Sequence, residues 1–287
     1  MFIILHNPLS KSKKSKRTTK HVVDEFKRRN IPFRLKSLLK IRDIEDYIKK
    51  TPKDIKILLL GGDGTINTFI NNTYNLAIEN DIYLKATGSG NDFLRSLKKQ
   101  RPASQFIGQM RYNQKNRFFM NGAGMGIDGE ISHRVNQAIR KSRFNYFINT
   151  IKALLTFKPK YCEVFVDGEL HTFKKTYLVN VNRGEFIGGG MRLTPEAKLD
   201  KAELDVIIVH RIPKVFILFI FLSVYFGLHT KFRRYVFHRK AKHVKASMFS
   251  RQISQCDGES FKGTREIEVS LTDKRAKFQV FDIEKNT

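Results

Sequence analysis

The sequence predicts an α/β protein in two parts: an open parallel sheet with flanking helices at the amino end, then a second, mostly antiparallel domain. Over the first hundred or so residues, short apolar runs alternate with helical spacings, the pattern of a parallel sheet covered on both faces. After about Asn116 strand-like segments dominate. Of the 287 residues 41% are apolar, 24 of them Phe, which is enough to bury a core and excludes a chain disordered throughout.

In the first part, Phe2 to His6 reads as a buried strand, and Val22, Val23 and Phe26 mark a helix after it. The Lys/Ser stretch from Ser10 to Lys16 between them reads as a flexible loop. Phe33 to Leu38 is strand-like, and the spacing Ile41, Ile44, Ile48 is helical. The run Ile55 to Leu60, a helix from Ile66 to Ala77, a strand from Ile82 to Ala86 and a helix from near Phe93 follow. In the second part, one or two helices are expected between Ile131 and Phe157. Strands Tyr161 to Val166 and Leu170 to Val181 then flank Asp167-Gly168, a pair suited to a tight hairpin because both residues tolerate positive φ. Leu204 to Val209, Val244 to Phe249, Ile267 to Leu271 and Phe278 to Phe281 complete the strands.

Lys and Arg number 54 against 27 Asp and Glu, a net charge of +27, so anionic surfaces and phosphates are the expected partners. No helix-turn-helix, RNP-type or zinc signature accompanies that charge, and nucleic acid is not expected. Cys162 and Cys256 match no metal-ligand spacing and read as reduced, buried thiols, with a single disulfide as the alternative. No basic segment precedes an apolar one at the amino end, and the longest apolar run, Val215 to Leu228, falls short of the roughly 20 residues that cross a bilayer. The expected location is cytoplasmic, peripheral at the inner face of the membrane.

Two glycine-rich segments carry the chemistry. Gly61-Gly62-Asp63-Gly64-Thr65 directly follows the strand run and precedes a helix. Glycines let a backbone approach an anion closely, and the N–H groups of the turn and helix start are donors for phosphate oxygens. Asp63 conflicts with a phosphate unless it binds a cation or accepts a proton, and a Mg²⁺-nucleotide resolves the conflict. The plainer alternative is a turn in which Asp63 caps the helix. Gly88-Ser89-Gly90-Asn91-Asp92-Phe93 repeats the arrangement after the next strand. Two such turns in one sheet are expected to grip one ligand from two sides, beyond the carboxyl ends of the strands.

These segments, with Asn7-Pro8, the stretch GSGNDFLRSL from Gly88 to Leu97, NGAGMGID from Asn121 to Asp128, GGGMRLTP from Gly188 to Pro195 and Asp257-Gly258-Glu259, span nearly the whole chain. Together they resemble the soluble bacterial diacylglycerol kinase and related lipid kinases. GGDGT alone is shared with NAD kinases and 6-phosphofructokinases; GSGNDF and the late DGE favour the lipid kinases. The resemblance implies an NAD-kinase/phosphofructokinase-like nucleotide-binding domain over 1–116 and an antiparallel β-sandwich lipid-substrate domain over 117–274. The last strand, 275–287, is a candidate to rejoin the first domain, and an ATP site is implied between the two. ATP and Mg²⁺ are the implied cofactors, and the implied reaction carries the γ-phosphoryl group to a lipid hydroxyl, first of all diacylglycerol, giving phosphatidic acid. An NAD-kinase-like enzyme and a catalytically silent, membrane-binding homologue are the alternatives, and a homodimer fits the family.

Carried over by the resemblance, Asn7, Pro8 and Gly61 to Thr65 (Gly61, Gly62, Asp63, Gly64, Thr65) contact the nucleotide, with Asn67 nearby. Gly88, Ser89, Gly90 and Asn91 form the second turn, Ser89 standing where the family usually has Thr. Glu259 matches the family's general base, Asp257 helps to hold it or the Mg²⁺, and Asp63 is the candidate metal ligand. From the residues alone, Asp-Gly-Glu reads as an ordinary hairpin turn. The chain departs from the family at Lys11, in place of a glycine, at Thr68, in place of a Glu, and at Leu94, in place of an Ala. It departs again at Lys201, where a carboxylate ligand of the family's structural metal site would stand; no structural Mg²⁺ is expected there, and the Lys201 ammonium is expected in its place.

From Val206 to Cys256 there is no Asp or Glu, while ten Lys and Arg surround the Phe-rich run Val215 to Leu228. Such a segment is either an apolar helix that docks on anionic lipid or a core helix with a solvated basic face. The basic stretch with Lys11, Lys13, Lys14, Lys16, Arg17 and Lys20 is either a solvated loop or a device that steers ATP.

Overall fold

Four of the apolar runs in the first part form parallel strands, β1 (Phe2–His6), β2 (Phe33–Ser37), β3 (Lys56–Gly61) and β4 (Ile82–Ala86). Helices α1 (Lys13–Arg28), α2 (Ile44–Lys49), α3 (Asp63–Thr73) and α4 (Asp92–Gln100) follow them in turn. The computed structural model describes residues 1–8, 13–88, 90–137 and 143–286. Within it, α1 begins at Lys13, so the end of the expected Ser10 to Lys16 loop is the helix's first turn. On β3, Ile57 and Leu59 point to one face of the sheet and Leu58 and Leu60 to the other, and all four are buried. Leu58 and Leu60 join a cluster with Phe2, Ile4 and the α1 residues Val22 and Phe26, and the Phe26 ring stacks on Phe281, 5.8 Å away.

The second sheet is antiparallel. Its strands are β5 (Gln105–Tyr112), β6 (Lys115–Phe119), β7 (Gly122–Gly126), β8 (Lys160–Val166), β9 (Glu169–Asn182), β10 (Leu204–His210), β11 (Val236–Ala241), β12 (His243–Cys256) and β13 (Glu259–Ala276). The order is β11-β10-β9-β7-β12-β13-β5-β6, and β8 also lies between β9 and β12. Asp167 and Gly168, at φ 50 and 89, make the β8–β9 turn.

The registers show that β7 and β8 share one lane. Gly122 to Gly126 pairs with Asn182 to Leu178 of β9, and Lys160 to Val166 continues from Thr176 down to Glu169. Helices α5 (Ile127–Gln137) and α6 (Arg143–Thr156) belong to an excursion that leaves the lane and returns within two residues of β9. Strands from both ends of the sheet order, Val206 and Ala241 from one and Met110 and Phe119 from the other, meet in a single apolar cluster. The sheet therefore folds over on itself into a sandwich. Ile207 faces the opposite way and packs with α5, α6 and α7 (Lys214–Val224) in a second cluster. Cys162 and Cys256 are free, buried thiols.

The last strand, β14 (Phe278–Val280), pairs in parallel with β4, giving the first sheet the order β14-β4-β3-β1-β2, and the short helix α8 (Ile283–Asn286) ends the described chain. Two compact units result, Met1–Gln105 with Ala276–Thr287, and Phe106–Arg275. The expected boundary at 116 is corrected to 105, because β5 pairs with β6 in the second sheet and the Phe119 ring covers Gly108, leaving no room there for a Cβ.

Candidate functional site

Three loops leave the first sheet at one edge. The strands run parallel with His6 opposite Leu60 and Gly61 opposite Ala86, so Asn7-Pro8, Gly61-Gly62 and Thr87-Gly88 all emerge at the carboxyl ends, where such sheets bind ligands. Asn7 is half-buried there and Pro8 is exposed.

The two glycine-rich turns are bonded to each other. Thr87 N–H donates to the Gly61 carbonyl at 3.1 Å, and Asp63 N–H donates to the Gly90 carbonyl at 3.0 Å. The Asp63 carboxylate accepts the N–H of Asp92 at 2.8 Å and that of Phe93 at 3.1 Å. Those two donors belong to the first turn of α4, where a helix leaves its N–H groups unpaired and favours negative charge. Asp63 is the first residue of α3, yet the helix it caps is α4.

Packing explains two of the glycines. A Cβ on Gly61 would meet Thr65 at 2.4 Å, and one on Gly62 would meet the Gly90 carbonyl oxygen at 2.4 Å. It does not explain Gly64, around whose Cβ position nothing lies within 4 Å, and a Cβ on Gly88 or Gly90 would have its nearest neighbour at 3.9 or 3.5 Å. In the first turn of α3, Asp63 N–H and Thr65 N–H already donate to Gly90 and Gly62, which leaves that of Gly64 beside this open space. An open, glycine-lined backbone beside two helix starts fits a phosphate chain. For Mg²⁺, the acidic side chains at this edge are Asp63, already holding α4, and Asp92, buried in its first turn with Arg95 Nη1 4.0 Å away. A Mg²⁺ ion held mainly by nucleotide phosphates and water, with one carboxylate, fits that set.

The remaining predicted residues of this unit take distinct places. Thr65 and Asn67 are buried on α3, and Asn67 Oδ1 accepts from Asn71 Nδ2 at 3.3 Å. Asn91 Nδ2 donates to the Gly88 carbonyl at 2.7 Å and closes the second turn. Ser89 and Lys11 lie outside the described residues. Thr68 turns its hydroxyl back to the Gly64 carbonyl at 2.9 Å. Asp92 was not among the predicted site residues; its place next to Asn91 in the second glycine-rich segment was the available signal.

In the second unit, Asp257 and Gly258, at φ 47 and 84, form the two-residue β12–β13 hairpin that the residues alone suggest. The Asp257 carboxylate accepts the N–H groups of Met120, Asn121 and Gly122 at 2.8, 2.9 and 3.0 Å, tying the hairpin to the β6–β7 connection. Glu259 opens β13 with its carboxylate half exposed and 3.7 Å from Arg117. Behind the turn, Gln255 Oε1 accepts Gly258 N–H at 2.9 Å, and Gln255 Nε2 donates to Asp128 at 2.6 Å. Asp128 also accepts from Asn180, and its burial raises the carboxyl pKa to about 6. The glycines of β7 make room for this polar layer, since a Cβ on Gly124 would meet Asp128 Oδ2 and Asn180 Nδ2, each at 2.9 Å.

The cation expected at Lys201 is supplied by a different residue. Lys201 is exposed, and its carbonyl, with those of Leu199 and Glu203, accepts from the guanidinium of Arg183 at 2.8, 2.5 and 2.5 Å. Arg183 is 1% exposed. A planar fork of five donors satisfies several carbonyls at once, which a lysine ammonium at the loop surface does not. Burial lowers the Arg183 pKa to about 10, so the group remains a cation at neutral pH. Among the described residues, no group of three or more His, Cys, Asp or Glu side chains is placed to hold a metal ion.

Residues 1–121 match the diacylglycerol kinase catalytic domain, and residues 122–270 match the YegS C-terminal NAD kinase beta sandwich-like domain. Chains described as "Putative lipid kinase" in Staphylococcus aureus strains Mu3 and Newman are 28% identical over 153 residues, 49% of this chain and 50% of theirs. The match thus spans about half the length of these relatives. A Bacillus anthracis protein solved as a "putative diacylglycerol kinase" superposes with a TM-score of 0.71 at 19% identity, covering 94% of this chain and 93% of that one. A second structure of a diacylglycerol kinase from that organism gives 0.61 at 17% identity, over 94% and 93%. At that identity the likeness concerns the fold: an α/β unit with a parallel sheet, followed by an antiparallel sandwich. With both domain models matched in order over the chain, this protein belongs to the bacterial diacylglycerol and lipid kinase family.

Proposed function

We propose that this protein is an ATP-dependent lipid kinase that transfers the γ-phosphoryl group to a lipid hydroxyl, with diacylglycerol the first candidate acceptor and phosphatidic acid the product. The observation that carries the reading is the pair of glycine-rich turns, latched by Asp63 and open above Gly64. Phosphoryl transfer asks a protein mainly for position and charge neutralisation, and the Gly64 N–H at the start of α3, beside the open glycine-lined space, contributes to both. Mg²⁺, when bound, supplies further positive charge to the phosphates. In the reaction the acceptor oxygen bonds to the γ-phosphorus, the bond from that phosphorus to the β–γ bridging oxygen breaks, and ADP leaves. Glu259 takes the acceptor's hydroxyl proton, and Asp257 holds the turn that presents it.

Labelled ATP, Mg²⁺ and mixed lipid vesicles test the reaction: labelled lipid is expected, and label transfer absent across a broad lipid panel overturns it. NADP formation in its place would select the NAD-kinase-like alternative. Glu259→Gln is expected to lower transfer at least about a hundredfold with ATP affinity unchanged. Gly64→Ala tests the cradle separately. Alanine at an exposed helical position with free space is expected to stabilise the fold by up to about 1 kcal/mol, while its methyl group occupies the phosphate space and weakens ATP binding about tenfold or more. Unchanged affinity removes the phosphate cradle from the account. The Thr68 hydroxyl bonded to its own helix, where the family's Glu would stand, supports a second reading, a silent homologue. ATP binding without transfer to any lipid is its signature.

A further inference from the structure

The helix α7 is apolar on every side, a composition that belongs inside a protein core or against lipid. Only one of its faces has a core. Ile217, Ile220, Phe221 and Val224 are buried against α6 and the outer face of the sandwich. The other face carries Val215, Phe216, Phe219 and Leu222, and the stripe runs on to Phe226 just past the helix; these five are 49–86% exposed. Their spacing keeps them in one row along the helix. Scattered exposed apolar residues are ordinary, but a contiguous aromatic row marks a surface that binds something.

The charges flanking the row identify the occupant. Arg211 and Lys214 precede it and Lys231, Arg233 and Arg234 follow it; all five are exposed, and none forms an ion pair with a described residue. No acidic residue lies anywhere between Val206 and Cys256. A second copy of the chain docked through this row would bring the same cationic flanks together, because a two-fold interface places one patch against itself. An anionic bilayer accepts both parts of the surface: Phe and Leu side chains enter the boundary between headgroups and acyl chains, and the flanking cations stay with the lipid phosphates. At 11 residues the helix is about 16 Å long, so it lies in the interface plane and does not cross.

We infer that the exposed row of α7, with its cationic flanks, is the surface on which this protein docks to anionic membrane, a conclusion that leans on the lipid-kinase reading for its purpose but not for its geometry. Sedimentation with phosphatidylcholine vesicles, with and without one-third phosphatidylglycerol, tests it in the absence of nucleotide. Binding is expected only to the anionic vesicles and is expected to fall with salt. Lys231→Gln/Arg233→Gln/Arg234→Gln is expected to weaken it on the order of a hundredfold, and Phe216→Ser/Phe219→Ser about tenfold or more. Both variants are expected to keep the wild-type melting point and the wild-type rate on a short-chain acceptor dispersed in detergent. Vesicle binding that persists in both variants, or equal binding to the uncharged vesicles, overturns the docking surface. So does a concentration-dependent dimer that the Phe216→Ser/Phe219→Ser change dissolves. Because vesicle binding is read without ATP, its failure is distinct from a failure of phosphoryl transfer.

Discussion

Asp128→Asn is expected to stabilise the protein at pH 8 and to flatten its stability between pH 5 and pH 8. The Asp128 carboxyl is buried, and its pKa rises from 3.8 to about 6. The folded value lies above the unfolded one, so this group's stabilising contribution is present in full below 3.8 and is lost as pH rises through about 6. By pH 8 both states are ionised and the folded state bears about 3 kcal/mol from the buried charge. Between pH 8 and pH 5 the wild type should regain about 1.4 kcal/mol of that. Asn180 and Gln255 both donate to Oδ2, so an asparagine with its carbonyl oxygen in that place keeps both bonds and carries no charge. At about 2–4 °C per kcal/mol, the variant should melt up to roughly 6–12 °C above the wild type at pH 8, with the gap narrowing by pH 5. Calorimetry at both pH values gives the difference directly, and comparing variant with wild type cancels the titration of the histidines. A variant less stable than the wild type at pH 8, or one with the wild-type pH slope, would refute the assignment of a buried, charge-penalised carboxyl.

Asp63→Ala should destabilise the first unit by about 2–3 kcal/mol, because it strips a charged acceptor from two N–H donors of α4; Asp63→Asn, retaining one acceptor, should cost less than half of that in a urea titration, and equal costs would mean that the cap is unimportant. Arg183→Met should cost on the order of 3–5 kcal/mol, since three loop carbonyls lose their donor. In Arg183→Gly, millimolar guanidinium should recover part of the lost stability and Mg²⁺ should not, while EDTA leaves the wild-type melting point in place. A melting point lowered by EDTA would return the loop to a metal.

The first sheet was legible because each of its strands is an uninterrupted apolar run between helical spacings, and buried parallel strands advertise themselves in that way. Much of the second sheet was not. β7 is Gly-Ala-Gly-Met-Gly, a sequence with no β-branched residue, and its glycines answer to Asn180, Asn182 and Asp128 side chains contributed from distant segments. β6 reads Lys-Asn-Arg-Phe-Phe and β11 carries His-Arg-Lys, so polarity hid both. At the site, the glycine pattern located both turns and the edge they share. The latch between them was hidden, because Asp63 caps a helix 29 residues further along and local capping rules look only to the next turn. Arg183 gave no signal at all, since a lone arginine within a strand end does not reveal that three carbonyls will close around it. The lysine at 201 drew attention to this loop, but its side chain is exposed and the loop carbonyls close on Arg183.

The shared lane of β7 and β8 has a bearing on how this molecule would survive damage. A single cleavage between β7 and β8 would leave the leading fragment clasped, because β7 is hydrogen-bonded to β9 on one flank and to β12 on the other and both belong to the trailing fragment. The trailing fragment in turn keeps β14 stitched to β4. A nicked protein would therefore persist as two interlocked halves, and the halves, made separately, are natural candidates for reassembly.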